Sequence, residues 1–133
     1  MTTFINPPEL PAPLGLYSHV AVTPDKGLVF VAGQLPVDAA GDVVGVGDLA
    51  AQMKCVFGHI GTALAAEGLA YGHIVQMTTY LVGRECVAPF FECRAELFPT
   101  LFGSAEYPPN TLLLIDGLVL PDARIEVQVI AAL

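Results

Sequence analysis

Few side chains in this sequence pair reactive chemistry with a setting that can use it. Glu126 is the foremost. In ARIEVQVIAA (123–132) it is the single carboxylate of a strand-like run, flanked by Ile125 and Val127. A carboxylate carried into apolar surroundings usually has a partner or a task. The competing readings are an ion pair with Arg124 on the same strand face and plain exposure at a subunit interface. Asn110, in EYPPNTLLLI (106–115), stands where two prolines hand the chain over to an apolar run. It is either a turn residue or a pocket-lining amide that offers hydrogen bonds without charge. Tyr17 carries a hydroxyl that can serve a ligand or be satisfied internally.

The remaining reactive groups are less promising. Cys55, Cys86 and Cys93 are odd in number and match no zinc spacing, and His19, His59 and His73 are scattered. Such thiols read as reduced and structural, in a cytoplasmic protein with no metal. Cys86 and Cys93 lie near a predicted helix start, where a thiolate is stabilised, yet no histidine adjoins them. Ser18 and His19 are neighbours on a predicted strand and point to opposite faces, so they form no nucleophile–base pair.

Composition narrows the partners. Five basic against thirteen acidic residues give a net charge of −8, and no basic run occurs. Nucleic-acid binding and attraction to anionic membranes both need a cationic footprint and are disfavoured. MTTFINPPELPAP lacks the basic and long apolar regions of a signal peptide, and no apolar run suits a bilayer span. The length of 133 residues suits one domain covering residues 1–133. With 54% hydrophobic and only 14% charged residues, the chain has surplus apolar surface, which predicts a homo-oligomer.

These residues must be positioned by a small set of elements. Residues 4–14 are proline-rich and extended. LYSHVAV (16–22) and LVFVAGQ (28–34) flank TPDKG, whose turn chemistry predicts a β-hairpin. GDVVGVGD (41–48) holds at most a short strand. Asp48 can cap a helix in which Leu49, Met53, Val56, Phe57, Ile60 and Leu64 recur at helical spacing to about Ala66, with Gly68 beyond its end. Gly58 and Gly61 within it predict close packing against a sheet. HIVQMTTYLV (73–82) is a strand by its β-branched content. Pro89 suits a second helix's first turn, and Phe90, Phe91, Arg94, Leu97 and Phe98 follow helical spacing until Pro99. TLLLIDG (111–117) and ARIEVQVIAA are two further strands, the latter with Ile125, Val127 and Val129 on one face and Arg124, Glu126 and Gln128 on the other. The order predicts an α+β fold: one mixed sheet with both helices on one face. Its other, half-polar face can meet its copies in a trimer or similar ring and enclose interfacial clefts.

GLYSHV (15–20), LVFVAGQLPVD (28–38), DLAAQMKCVFGHIGTALAAEG with its Asp-x-x-x-Gln start, and LVLPDARIEVQVIA (118–131) occur in this order. Together they resemble the RidA/YjgF family of reactive-intermediate deaminases, historically called L-PSP endoribonucleases, over about residues 14–131. The resemblance implies a chorismate-mutase-like fold, a homotrimer with a pocket at each subunit boundary, and cofactor-free, metal-free hydrolysis of imino or enamine acids to keto acids and ammonia. It implies Glu126 as the catalytic carboxylate and places Tyr17 and Gly33 in the pocket. At the position of the family's carboxylate-clamping arginine this chain has Asn110. Arg94, or Arg84 just before the second helix, is the candidate replacement.

Two expectations follow. One is a deaminase-type hydrolase for an enamine, imine or related intermediate other than the simple 2-imino acids. The other is a non-catalytic trimer that binds a small ligand or acts as a chaperone. The ribonuclease label is opposed by the charge.

Overall fold

The computed structural model describes residues 2–14, 16–103 and 106–133; Gly15, which opens the GLYSHV stretch, lies outside them. Strands β1 (Thr3–Ile5), β2 (Val20–Thr23) and β3 (Leu28–Gln34) lead into helix α1 (Leu49–Ala65), strand β4 (Ile74–Val82), helix α2 (Val87–Phe102), and strands β5 (Asn110–Ile115) and β6 (Ile125–Ala132). They form one six-stranded mixed sheet in the order β1-β2-β3-β6-β4-β5. All neighbours run antiparallel except β4 and β5, the parallel pair that α2 connects. The last strand therefore lies inside the sheet, between β3 and β4, and carries Glu126 away from either edge.

Period-two alternation sorts the sheet into two faces. Val29, Val31, Met77, Leu81, Ile125, Val127 and Val129 pack beneath Met53, Phe57, Ile60 and Leu64 of α1 and Phe90 and Phe98 of α2. Both helices thus cover one face, and the fold is α+β as the sequence predicts. The register row Phe4–Ala21–Phe30–Ile130 runs across the opposite face. Within the single chain that face is bare: Phe4 is 69% and Phe30 39% exposed. Among the described residues, no helix is long and apolar enough to cross a membrane.

Local signals explain the elements. The Asp48 side chain accepts from the Ala51 N–H at 3.1 Å and starts α1. The β2–β3 turn closes through the Lys26 N–H to the Thr23 carbonyl at 2.9 Å, with Gly27 at φ +69°. Gln52, completely buried, ties α1 to the segment before β6. Its amide donates to the carbonyls of Val44 and Asp122 and accepts from the Arg124 N–H, at 3.2, 2.9 and 2.8 Å.

Four expectations from the sequence are corrected. The N-terminal segment is not merely extended, since Thr3–Ile5 pairs with β2; three residues are too few to show a period. The strand expected at 16–22 begins only at Val20. Helix α2 passes through Pro99 and ends at Gly103, φ +63°; Pro99 is exposed, so its ring costs one backbone hydrogen bond without a core clash. Gly58 and Gly61 do not pack on the sheet. A Cβ at Gly58 meets nothing within 4 Å, while one at Gly61 would run into the Tyr71 hydroxyl, which donates to the Phe57 carbonyl at 2.7 Å.

Candidate functional site

Glu126 projects from the middle of β6 on the face turned away from the helices, in register with Tyr80 of β4. Its carboxylate lies over Gly33, where the β3–β6 register shifts between Val31 and Gln34. A Cβ at position 33 would come within 2.5 Å of Glu126 Oε1, so the missing side chain is what admits the carboxylate. Leu14, Tyr17, Ala32, Leu35 and Val119 complete a cleft of about 370 Å³ with these two residues. Burial pushes the Glu126 carboxyl above the usual range, with no charge among the described residues to offset it. The ion pair with Arg124 that strand alternation allows is not formed.

Tyr17 Oη accepts from the Leu14 N–H at 3.1 Å, and the ring stands edge-on to His19 at 5.9 Å. The hydroxyl proton has no acceptor among the described residues. His19 itself is structural. Its Nε2 donates to the Pro11 carbonyl at 2.8 Å, and its Nδ1 accepts from the Gln34 amide at 3.0 Å, because a carbonyl can only accept and an amide nitrogen can only donate. The two bonds hold the proline-rich segment against β3 and so set the wall from which Tyr17 reaches the cleft.

Asn110 and Arg94 lie elsewhere. Asn110 opens β5 opposite Met77, on the helix-covered side of the sheet, and its Oδ1 accepts from the Thr79 hydroxyl at 2.9 Å. It lines a groove of about 340 Å³ between α2 and β5 together with Arg94. The Arg94 guanidinium stands 4.8 Å from the Phe91 ring centre and 5.2 Å from that of Phe90. Within one chain the predicted site is thus divided: Tyr17, Gly33 and Glu126 share a cleft, and Asn110 and Arg94 share a groove on the other side of the sheet. Arg84 opens the short 3-10 helix that leads directly into α2 and lines neither.

The thiols show no activation. Cys86 donates to the Val82 carbonyl at 3.3 Å and Cys93 is buried; burial raises both. One further pair emerges in the structure, Cys55 and His59, 3.5 Å apart at i,i+4 spacing on α1. That spacing was the available signal. His59 Nε2 donates to the Val37 carbonyl at 2.7 Å, so the nitrogen beside the thiol carries a proton and cannot take that of Cys55, and burial followed by the Asp38 charge raises Cys55. Among the described residues no three His, Cys, Asp or Glu side chains are grouped to hold a metal ion.

Residues 8–133 match the family described as Endoribonuclease L-PSP. Over 127 residues the chain is 34% identical to the 3-aminoacrylate deaminase RutC of Acinetobacter baylyi, a match covering 96% of this chain and 94% of that protein. It is 37% identical over 78 residues to the protein DfrA of Myxococcus xanthus, where the match spans 58% of this chain and 59% of DfrA. The crystal structure of the E. coli YjgF gene product superposes with a TM-score of 0.84 at 26% identity, covering 98% of each chain. The chain belongs to the L-PSP endoribonuclease, or RidA/YjgF, family.

Proposed function

We propose that this protein is a deaminase-type hydrolase acting on an enamine, an imine or a related labile nitrogen compound, with Glu126 as its catalytic group. The observation that carries the reading is the Glu126 carboxyl, raised by burial, held over Gly33 and left without an ion-pair partner in a cleft beside Tyr17. A carboxyl raised above its usual range holds a proton more readily than a free one, which favours its use first as donor and then as acceptor. Similarity to a 3-aminoacrylate deaminase over nearly the whole chain points to the same chemistry.

In the neutral form Glu126 donates its proton to the enamine carbon and yields the iminium ion, and the resulting carboxylate takes a proton from water as the water oxygen bonds to the iminium carbon. The carbinolamine then collapses. The C–N bond breaks as Glu126 gives its proton to the nitrogen and ammonia departs, and the carbinolamine hydroxyl passes its own proton back to Glu126 as the carbonyl forms, which restores the protonated carboxyl. One water is consumed and no oxidant is needed. Tyr17 directs its free O–H at the substrate.

Assembly belongs to the same proposal. A homotrimer whose bare sheet faces meet would cover Phe4 and Phe30 and bring the Asn110 edge of one subunit toward the Glu126 cleft of the next. Asn110 in place of a guanidinium makes simple 2-imino acids poor substrates, because an amide provides hydrogen bonds but no charge. The net charge of −8 argues against RNA as the substrate.

The test is ammonia release from a panel of freshly generated imines and enamines. Activity on at least one, lost by about 10²–10⁴-fold in Glu126→Gln, is expected for a general acid–base residue. No release from any member by a folded protein would overturn the hydrolase reading and leave a ligand-binding role.

A further inference from the structure

The groove between α2 and β5 has a polarity of its own. The Thr79 hydroxyl occupies Asn110 Oδ1 at 2.9 Å, so the amide is turned to present its Nδ2 hydrogens. Arg94 forms no ion pair with the described residues; stacking over Phe91 and Phe90 holds its guanidinium in place. A stacked guanidinium keeps its in-plane N–H groups for an anion. Among the described residues that line the groove none is a carboxylate, and Met77, Phe91, Phe98 and Tyr107 supply apolar or aromatic walls. About 340 Å³ is enough for a small organic ligand.

We infer that this groove binds the carboxylate of an acid bearing an aromatic or similarly bulky apolar group, with Arg94 supplying the charge and Asn110 Nδ2 a second donor. Two donors lining one groove suit a group that only accepts. The apolar walls add binding for a ring, and a two- or three-carbon acid leaves them unfilled. For turnover the inference rests on the function proposed above, naming the class of acid whose labile nitrogen would be hydrolysed; for binding it stands alone.

The protein provides an internal probe. Its methionines are Met1, Met53 and Met77; Met77 lines the groove, whereas Met53 is completely buried in the core beneath α1. With ¹³C-methyl methionine, titration by phenylacetate should move the Met77 resonance to saturation and leave Met53 in place. Acetate, which lacks the ring, and phenylacetamide, which lacks the charge, should each bind more weakly. Arg94→Gln should weaken phenylacetate by about tenfold or more, the scale of a charge-assisted hydrogen bond, with an unshifted Met53 signal reporting an intact core. A static Met77 signal, equal binding of phenylacetamide, or unchanged affinity in Arg94→Gln would overturn the inference. Binding without ammonia release from any imine would refute the deaminase reading alone; ammonia release without binding here would refute the groove alone.

Discussion

Replacing Gln52 by leucine should cost this fold far more than its lack of charge suggests. The amide makes three hydrogen bonds that join α1, the segment holding Val44 and the approach to β6. Leucine fills nearly the same volume, so little cavity forms and the loss is polar. The Arg124 N–H and the Val44 carbonyl are both part-buried and lose their partner, at roughly 1–3 kcal/mol each. Asp122 is exposed, so its carbonyl can turn to water. The sum is about 2–6 kcal/mol, a large share of the ~5–15 kcal/mol that holds a typical domain together. Tyr71→Phe is the comparison, because it removes the single bond to the Phe57 carbonyl and should cost roughly 0.5–1.5 kcal/mol. Urea unfolding followed by circular dichroism at one fixed protein concentration measures both, since the chain has no tryptophan. Arg124 directly precedes the strand that carries Glu126, so Gln52→Leu should also lower ammonia release. A Gln52→Leu loss no larger than that of Tyr71→Phe would refute the staple.

Glu126→Gln should stabilise the protein at neutral pH. Burial raises the folded carboxyl above its unfolded value, so between those two values the native state holds the extra proton and wild-type stability falls as pH rises. The variant should lose that slope in unfolding measured across the window. Gly33→Ala should cut turnover while the fold survives, because its Cβ would meet the Glu126 carboxylate at 2.5 Å and displace it; unaltered turnover would argue against the Glu126–Gly33 arrangement. Asn110→Arg should speed hydrolysis of in situ iminopyruvate by restoring a carboxylate clamp, read as keto-acid formation. Sedimentation equilibrium should give three times the 14.0 kDa chain mass; a stable monomer at micromolar concentration would contradict the trimer.

Much of this architecture was legible in the sequence because it rests on local rules. Asp48 precedes an apolar run at helical spacing, and it caps α1. Thr-Pro-Asp-Lys-Gly is turn chemistry, and it closes the β2–β3 hairpin. Alternation in IEVQV put Glu126 on the face opposite Ile125 and Val127, which is where β6 carries it. What the sequence could not decide was adjacency. Gly33 and Glu126 lie far apart along the chain and meet only because β6 inserts between β3 and β4. Asn110 and Glu126 both stand on strands, yet strand pairing sets Asn110 in register with Met77 on the helix side and Glu126 with Tyr80 on the other. Local periodicity fixes the side of its own strand on which a residue falls, but the relative phase of two strands is set by their hydrogen-bond register. The pairing of Arg94 with Asn110 in one groove, the three-way staple at Gln52 and the close approach of Tyr71 to Gly61 are likewise products of tertiary packing, because each joins residues whose spacing in the sequence carries no period.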